Sequence, residues 1–305
     1  MSAEVDLLLR QLLNGLTIGM IYALIALGYT MVYGVIQLIN FAHGEVFMVG
    51  AYLAFTAIAI MAALFHAAPF WIVFIFLIVF SMLGSSILGA GIEKVAYRPL
   101  RGSPKLTALI TSIGVSFFLQ NAVMLIYGAR EQSMPDIVPA HFFTLGPLEI
   151  SLMQIMIFAV SIGLMVFLTW FVKSTRTGKA MRATAENPQA ASLMGISVNR
   201  VIRTTFILGS ALAAVGGSIF GLNYGSISFH DGYLAGLKAF TAAVFGGIGS
   251  IPGAMIGGIL LGVFEALGAG YISSEWKDVF AFVLLGAVLI FKPSGIMGEN
   301  VPEKV

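Results

Sequence analysis

Long apolar segments recur along this chain, and they restrict its fold more than any other feature. A helix needs about 20 apolar residues to cross the hydrocarbon core of a bilayer. Eight segments fit, the last shorter than the others: 12–33, 46–65, 70–91, 106–127, 151–172, 204–224, 253–272 and 279–291. The chain is 59% hydrophobic and 10% charged, whereas soluble domains average about 45–50% and about 25%. The sequence therefore predicts an all-α integral membrane protein with about eight transmembrane helices, one domain over residues 1–305, and excludes a soluble domain.

Most of the positive charge lies in two polar segments. Residues 93–105 contain four basic residues against one acid, and residues 173–203 contain six against Glu186. Cytoplasmic loops are enriched in Lys and Arg, so both segments are expected on the cytoplasmic side, which makes residues 128–150 an external loop. The net charge of +2 is too small to indicate a nucleic-acid partner, whereas the apolar spans require membrane lipid.

Two segments interrupt the apolar pattern. Residues 237–245 are too short to span, and they end in GGIGSIPG, residues 246–253, which predicts a re-entrant half-helix that enters and turns back. Residues 34–45, GVIQLINFAHGE, place polar side chains within an apolar run, and such backbone is stable only where it lines a cavity or is buried in protein. Eight spans plus one half-helix put both chain ends outside.

We predict that the translocation pathway lies where these two interruptions converge. Its candidate residues are Asn40, His43, Glu45, Gly249, Ser250 and Pro252. Segments 32–36 and 244–248 align as VYGVI on VFGGI, which is compatible with an internal repeat of the kind found in many transporters. His43 and Glu45 also resemble a proton relay or a metal pair, but two ligands make a poor metal site. No metal or other cofactor is expected.

Other residues in apolar surroundings have structural alternatives. Glu265 is a functional candidate because a charge within a membrane segment is costly, unless it pairs across the subunit interface or faces a water-filled cavity. Lys238 is expected to extend its ammonium group to the membrane interface. Stripes of small residues allow close helix packing. They are Gly15, Gly19 and Ala23; Gly209, Ala213, Gly217, Gly221 and Gly225; and Ala254, Gly258, Gly262, Ala266 and Gly270.

The basic segment 173–203, which we call the coupling loop, is predicted to contain two short helices. Residues 177–185 include strong helix formers. Asn187-Pro188 interrupts the helix and begins a second one, because the residue before Pro is disfavoured in the helical region and Pro is tolerated in a first turn. The second helix, 188–194, ends at Gly195. A compact element of this kind, facing the cytoplasm, is suited to binding by a partner.

Four segments of the chain resemble one family. RATAENPQAASLMGI at 182–196 is similar to the cytoplasmic loop of LivH-type permease subunits in ATP-driven branched-chain amino-acid importers. NGLTIGMIYALIALGYTMVYGVIQLINFAHGE at 14–45, IEKVAYRPLR at 92–101 and KAFTAAVFGGIGSIPGAMIGG at 238–258 extend the resemblance over nearly the whole chain. It implies an inner-membrane permease whose loop inserts into a cleft of the ATPase subunit. The coupling residues it implies are Arg182, Ala183, Ala185, Glu186, Asn187, Ala190, Gly195 and Ile196.

The resemblance also implies partners and a substrate. The partners are a second related permease, two ATP-binding subunits and a periplasmic amino-acid-binding protein, and the substrates are leucine, isoleucine and valine. It favours use of one small-residue stripe as the contact with the second permease. ATP hydrolysis is expected in the partners, because Thr177-Gly178-Lys179-Ala180 lacks the first Gly and the Ser or Thr of a phosphate-binding loop.

Two other classes of protein remain as alternatives. A secondary transporter or channel driven by an ion gradient needs paired intramembrane carboxylates or a cation cage, and the acids of this chain are predicted to be isolated. A membrane-embedded enzyme needs a nucleophile or metal constellation, and the chain has no Cys and no evident Ser, His and acid grouping.

Overall fold

The computed structural model describes residues 3–65, 68–145, 148–292 and 294–298, and helices make up most of this part of the chain. The α-helices are α1 Ala3–Ile36, α2 His43–Leu64, α3 Phe70–Ile92, α4 Lys105–Tyr127, α5 Leu152–Ser174, α6 Arg176–Glu186, α7 Pro188–Leu193, α8 Val198–Tyr224, α9 Asp231–Gly246, α10 Ile251–Tyr271 and α11 Lys277–Phe291. The prediction of an all-α protein needs one addition, because four short strands also form. They pair as β1 Gln132–Ser133 with β4 Ser226–Ile227, and β2 Phe142–Leu145 with β3 Leu148–Ser151.

Helix α1 lies at the centre of the molecule. Residues 23–27 are completely buried, as expected for a helix that is apolar on every face. Helices α8 and α10 pack on it, and the contact with α10 is close because both helices carry glycine there. A Cβ on Gly19 would lie 2.8 Å from the Cα of Ile259, so a larger residue would push the two helices apart.

Apart from Gly225, which is exposed, the small residues of the three stripes pack against other parts of the same chain. The α1 and α10 stripes face each other, with Gly262 against the backbone of Gly19. The α8 stripe packs on α1 and α2, with Gly209 near Gly28 and Gly217 near the backbone of Phe47. The expectation that one stripe contacts a second permease is therefore wrong, since the glycines that would make that contact are already packed.

Helices α3, α4 and α5 form the outside of the molecule. Their large apolar side chains point outward, with Ile87 75%, Leu125 81% and Val166 63% exposed. Seven of the described helices are long and apolar enough to cross a membrane: α1 to α5, α8 and α10. These outward apolar faces fit a hydrocarbon environment.

Helix α9 differs from the predicted half-helix. It begins at Asp231 and contains 16 residues, so it is about 24 Å long. Helix α8 runs antiparallel to α1, since Gly209 lies near Gly28 and the later Gly216 lies near the earlier Ile25. Helix α10 also runs antiparallel to α1, since Gly258 lies near Ala23 and Gly262 lies near Gly19. They are therefore parallel to each other, and α9 must carry the chain back from one end to the other. The prediction of a re-entrant half-helix is wrong.

The two ends of the described chain consequently lie at opposite ends of the molecule. Gln11 near the start of α1 contacts Gly270 at the end of α10. Ile296 N–H donates to the carbonyl of Phe245 at 2.9 Å, next to the start of α10. The expectation that both chain ends lie on one side fails for residues 3–298, because it depended on the half-helix turning back. Residues 299–305 lie outside the described part.

Candidate functional site

The coupling loop contains two helices, and the predicted residues Asn187 and Gly195 lie at the start and after the end of the second one. The Asn187 side chain accepts hydrogen bonds from Gln189 N–H and Ala190 N–H, both at 3.0 Å, and so caps α7. The Thr175 hydroxyl caps α6 by accepting from Gly178 N–H at 3.0 Å. Gly195 ends the second helix with φ of 80°, a conformation that costs a non-glycine residue about 1–2 kcal/mol. The helix, break and helix predicted from sequence are confirmed.

Helix α6 is fastened to the membrane helix that precedes it. Nη1 of Arg182 donates to the carbonyls of Val172 at 2.7 Å and Lys173 at 3.1 Å, which are otherwise unpaired at the end of α5. Met181 and Thr184 are buried on the inner face of α6. These contacts hold α6 against the end of α5.

The other side of the coupling loop is open. Five of the residues predicted to mediate coupling are exposed: Arg182, Glu186, Asn187, Ala190 and Gly195. The other three are half-buried: Ala183, Ala185 and Ile196. Sequence reasoning missed the most exposed apolar pair, which we call the tip: Leu193 is 88% and Met194 82% exposed. Their position at the end of an otherwise polar short helix was the available signal, since a large apolar side chain there has no core to enter.

The first break, residues 37–42, is held by Asn40. Its Oδ1 accepts from Ala42 N–H at 3.1 Å and from the Tyr97 hydroxyl at 3.0 Å, and the side chain is buried. Gln37 has φ of 54°, which marks the point where α1 stops. The break is therefore a turn that is joined by a hydrogen bond to the basic loop at 93–105.

His43 and Glu45 lie apart from each other despite their spacing. The His43 ring packs edge-on against Tyr29, with 4.7 Å between ring centroids. Glu45 accepts from the Ser116 hydroxyl at 3.0 Å and lies beside Gly232 at the start of α9. Residues two apart on a helix do not face each other, so a proton relay or metal pair between them is not formed.

The second break, residues 247–250, is covered by the C-terminal segment. Ile296 N–H and Met297 N–H donate to the carbonyls of Phe245 and Gly246, both at 2.9 Å. The Ser250 hydroxyl accepts from Gly253 N–H at 3.2 Å and so caps α10. Gly249 and Pro252 are exposed, whereas Ser250 is half-buried.

The two breaks lie next to each other, as predicted. A Cβ on Gly34 would lie 3.6 Å from the Cα of Gly249. A small cavity lies between them and is lined by Tyr29, Tyr33, Ile39, Asn40, Phe240, Ala243 and Ile248. A second, larger cavity connects the end of α1 and the second break to α6. The breaks and the coupling loop therefore form one continuous region.

A buried ion pair joins the two basic loops. Glu93 is 1% exposed and contacts Arg101, and its other oxygen lies 3.5 Å from Nε of Arg203 at the start of α8. Arg101 also contacts Asn199. Burial lowers the pKa of Arg101 below its ordinary value, and the charge of Glu93 acts in the opposite direction.

A second buried cluster was not expected from the sequence. Lys238 does not reach an interface: its Nζ donates to Glu265 Oε1 at 2.7 Å and to the Tyr22 hydroxyl at 3.2 Å. Nζ also lies 2.6 Å from Oδ1 of Asp278, without hydrogen-bond geometry. The prediction that the acids of the apolar segments are isolated is wrong, because Glu265 and Asp278 share the ammonium group of Lys238. The cluster links α9, α10 and α11.

The fold and these regions define a helical membrane protein in which interrupted helices adjoin a polar loop. A model of the family described as branched-chain amino acid transport system / permease component matches residues 11–289. The chain belongs to this family.

Two relatives and one solved structure show how far the similarity extends. The high-affinity branched-chain amino acid transport system permease protein BraD of Pseudomonas aeruginosa is 51% identical over 302 residues, which are 97% of this chain and 98% of BraD. The corresponding protein LivH of Escherichia coli strain K12 is 48% identical over 310 residues, covering both chains completely. A chain of PsaBC from Streptococcus pneumoniae in complex with Fab superposes with a TM-score of 0.47 and 14% identity, over 92% of this chain and 91% of that chain.

Proposed function

We propose that this protein is the permease subunit of an ATP-driven importer and that it carries leucine, isoleucine and valine across the inner membrane. It is a transport component, and hydrolysis belongs to separate subunits. The observation that carries the proposal is the coupling loop: two capped helices, fixed to α5 by Arg182, present an exposed apolar tip. The similarity to BraD and LivH supports the substrate class.

The arrangement supports a mechanism in which the loop drives the two breaks. Closure of an ATPase pair pushes on the tip and on the exposed coupling residues, and Arg182 passes this displacement to α5. Helix α6 adjoins the end of α1 and the second break across the larger cavity. The gate, meaning the first and second breaks together, then opens toward one side and closes toward the other. Asn40, Gly249, Ser250 and Pro252 border it, whereas His43 and Glu45 support α2 and α9.

The membrane orientation follows from the loops. We infer that residues 93–105 and 173–203 face the cytoplasm and that residues 128–150 form the external surface on which a periplasmic binding protein docks. Helix α1 then starts outside and residue 298 lies inside. In this arrangement α9 and α11, of 16 and 15 residues, cross as short helices beside the seven longer ones, and the whole chain is one transmembrane domain.

An internal repeat is also part of the proposal. Helices α1 and α9 both end at a break with positive φ, at Gln37 and Gly247. In this repeat α1 corresponds to α9, and α2 corresponds to α10. The contact between α1 and α10 should then have a counterpart between α9 and α2, and both pairs of helices are in contact. Parallel repeats of this kind occur in transporters.

The test of this function compares the lone chain with the full assembly. We expect no ATPase activity and no uptake from the purified chain in liposomes, because it lacks a phosphate-binding loop. Addition of a second permease, two ATP-binding subunits and the binding protein should produce ATP-dependent leucine uptake. Uptake by the lone chain under a proton or sodium gradient would show that it is a secondary transporter.

The gate is tested by thiol accessibility in this naturally Cys-free chain. We expect Asn40→Cys and Ser250→Cys to react with a small water-soluble thiol reagent at rates that change when a non-hydrolysable nucleotide holds the ATPases, since alternating access moves water across the gate. Leu212→Cys and Val215→Cys are the controls, because these side chains lie within α8, which packs on α1 and α2 and forms neither break. If neither Asn40→Cys nor Ser250→Cys reacts with the reagent in any nucleotide state, the breaks are structural turns and do not form the gate.

A further inference from the structure

The cavity between α1, α6 and the second break combines a mainly apolar wall with a few polar side chains, as small-molecule sites do. Much of the wall is aliphatic, from Met31, Val35, Val172, Met181, Ala185 and Ile251. Such a wall accommodates a short branched hydrocarbon chain.

A buried hydroxyl in this wall has no partner. Thr30 lines the cavity and is 1% exposed, and its Oγ1 makes no hydrogen bond within the described residues. Other threonines in these helices donate to the carbonyl four residues earlier, as Thr17 does to Leu13 at 2.8 Å and Thr205 to Val201 at 3.0 Å. Buried polar groups nearly always have a partner, so this exception requires an explanation.

A cation completes the lining. Arg182 lines the same cavity, and only its Nη1 is occupied, by the two carbonyls at the end of α5. A guanidinium has five N–H donors, so Nε and Nη2 remain available to donate to the two oxygens of a carboxylate. Within the described residues, Arg182 forms no ion pair.

We propose that this cavity binds an aliphatic carboxylate from the cytoplasmic side, and that its occupancy inhibits transport. The carboxylate bonds to Arg182 and Thr30, and the branched chain packs on the aliphatic wall. The bound ligand bridges α6, α1 and the second break, so it opposes the displacement of the coupling loop. The inference rests on the proposed function for its orientation and its effect.

Two cytoplasmic compounds share this chemistry: the imported amino acid and the 2-oxo acid left when its amino group is removed. The lining contains no acidic side chain, so an ammonium group finds only backbone carbonyls there. Both compounds therefore serve as probes, and 3-methylbutylamine, which has the same branched chain without a carboxylate, is the negative probe.

The experiment uses the complete importer in proteoliposomes. The ATPase subunits face the outside of the vesicles, and the binding protein and leucine are enclosed inside them. ATP is added outside with leucine, 4-methyl-2-oxopentanoate or 3-methylbutylamine at about 10 mM. We expect ATP hydrolysis to fall at least about fivefold with one or both carboxylates and to be unchanged by the amine. Which carboxylate inhibits at lower concentration identifies the source.

Variants assign the inhibition to the cavity. Thr30→Val removes one hydrogen bond to the carboxylate and should raise the half-inhibitory concentration roughly tenfold, with uninhibited hydrolysis unchanged. Val35→Trp fills the cavity and should abolish inhibition. Thr111→Val, the same change on the outer helix α4, is the control and should be inhibited like the unmodified protein.

Two failures are distinguishable. If enclosed leucine and binding protein do not stimulate hydrolysis at all, the proposed importer function is wrong. If they do, but no carboxylate inhibits, or if inhibition is the same in Thr30→Val and in the Thr111→Val control, the importer stands and the inhibitory site does not exist.

Discussion

Replacing Lys238 with Met should lower the free energy of unfolding by about 3–5 kcal/mol, the usual cost of removing one partner from a buried ion pair. Lys238 is 6% exposed, and its Nζ lies between carboxylates of Glu265 and Asp278. Without the ammonium group, the buried carboxylate of Glu265 would lose its counter-charge and would lie near a second negative charge, that of Asp278. Thermal unfolding of the purified protein in detergent should show Tm lower by roughly 5–8 °C.

Two further variants separate the ion cluster from a general effect of the substitution. Lys277→Met changes an exposed lysine at the start of α11 and should leave Tm almost unchanged. Lys238→Met combined with Glu265→Met should recover much of the loss, because a buried pair replaced by apolar residues is often neutral. If Lys238→Met behaves like Lys277→Met, the cluster does not stabilise the packing of α9 against α10 and α11.

The parts of the structure that the sequence predicted are those decided locally. Asn187-Pro188 and Gly195 place the ends of the coupling helices because capping and positive φ depend on single residues. The breaks after Ile36 and Gly246 were also predictable, since polar or glycine-rich backbone does not continue a membrane helix. Their proximity followed from the general architecture of transporters.

The features that the sequence did not predict depend on contacts between distant segments. Helix α9 was predicted too short, since the predicted helix began at Leu237 whereas the observed helix begins at Asp231. Its Lys238 pairs with Glu265 and Asp278, which lie on later helices, and these contacts could not be read from the local sequence. The direction of α10 also depended on α9, and an error in one short helix therefore moved the chain end to the wrong side.

The candidate pathway residues also divide into those whose place was decided by the local sequence and those whose place depends on the surrounding structure. Asn40, Gly249 and Ser250 belong to the turns themselves, and they do adjoin the shared cavities or flank the break. His43 and Glu45 follow the turn and enter α2, where their side chains point in different directions and contact Tyr29 and Ser116. Knowing that α2 begins at His43 would have separated them, because the helical rotation between them follows from that boundary.

A change at Gly195 should have the second large effect, on transport rather than on folding. The space around this residue is open, because a Cβ added to Gly195 would have no neighbouring atom within 4 Å, so a side chain there meets no clash. Its φ of 80° is the constraint. Gly195→Val should cost the local conformation about 1–2 kcal/mol, which corresponds to roughly a 5- to 30-fold loss of the correctly ended α7.

Because α7 carries the tip, this local loss should appear in the rate of uptake. We expect leucine uptake by the complete importer to fall roughly 5- to 30-fold in Gly195→Val, with the permease still inserted and ATP hydrolysis no longer stimulated by substrate. Gly102→Val is the matched control, since Gly102 also has positive φ, at 126°, and open space in the other basic loop. Its uptake should stay within about twofold of the unmodified protein. Equal uptake in the two variants would mean that the end of α7 has no special part in coupling, and the contact with the ATPases would then lie elsewhere on the cytoplasmic surface.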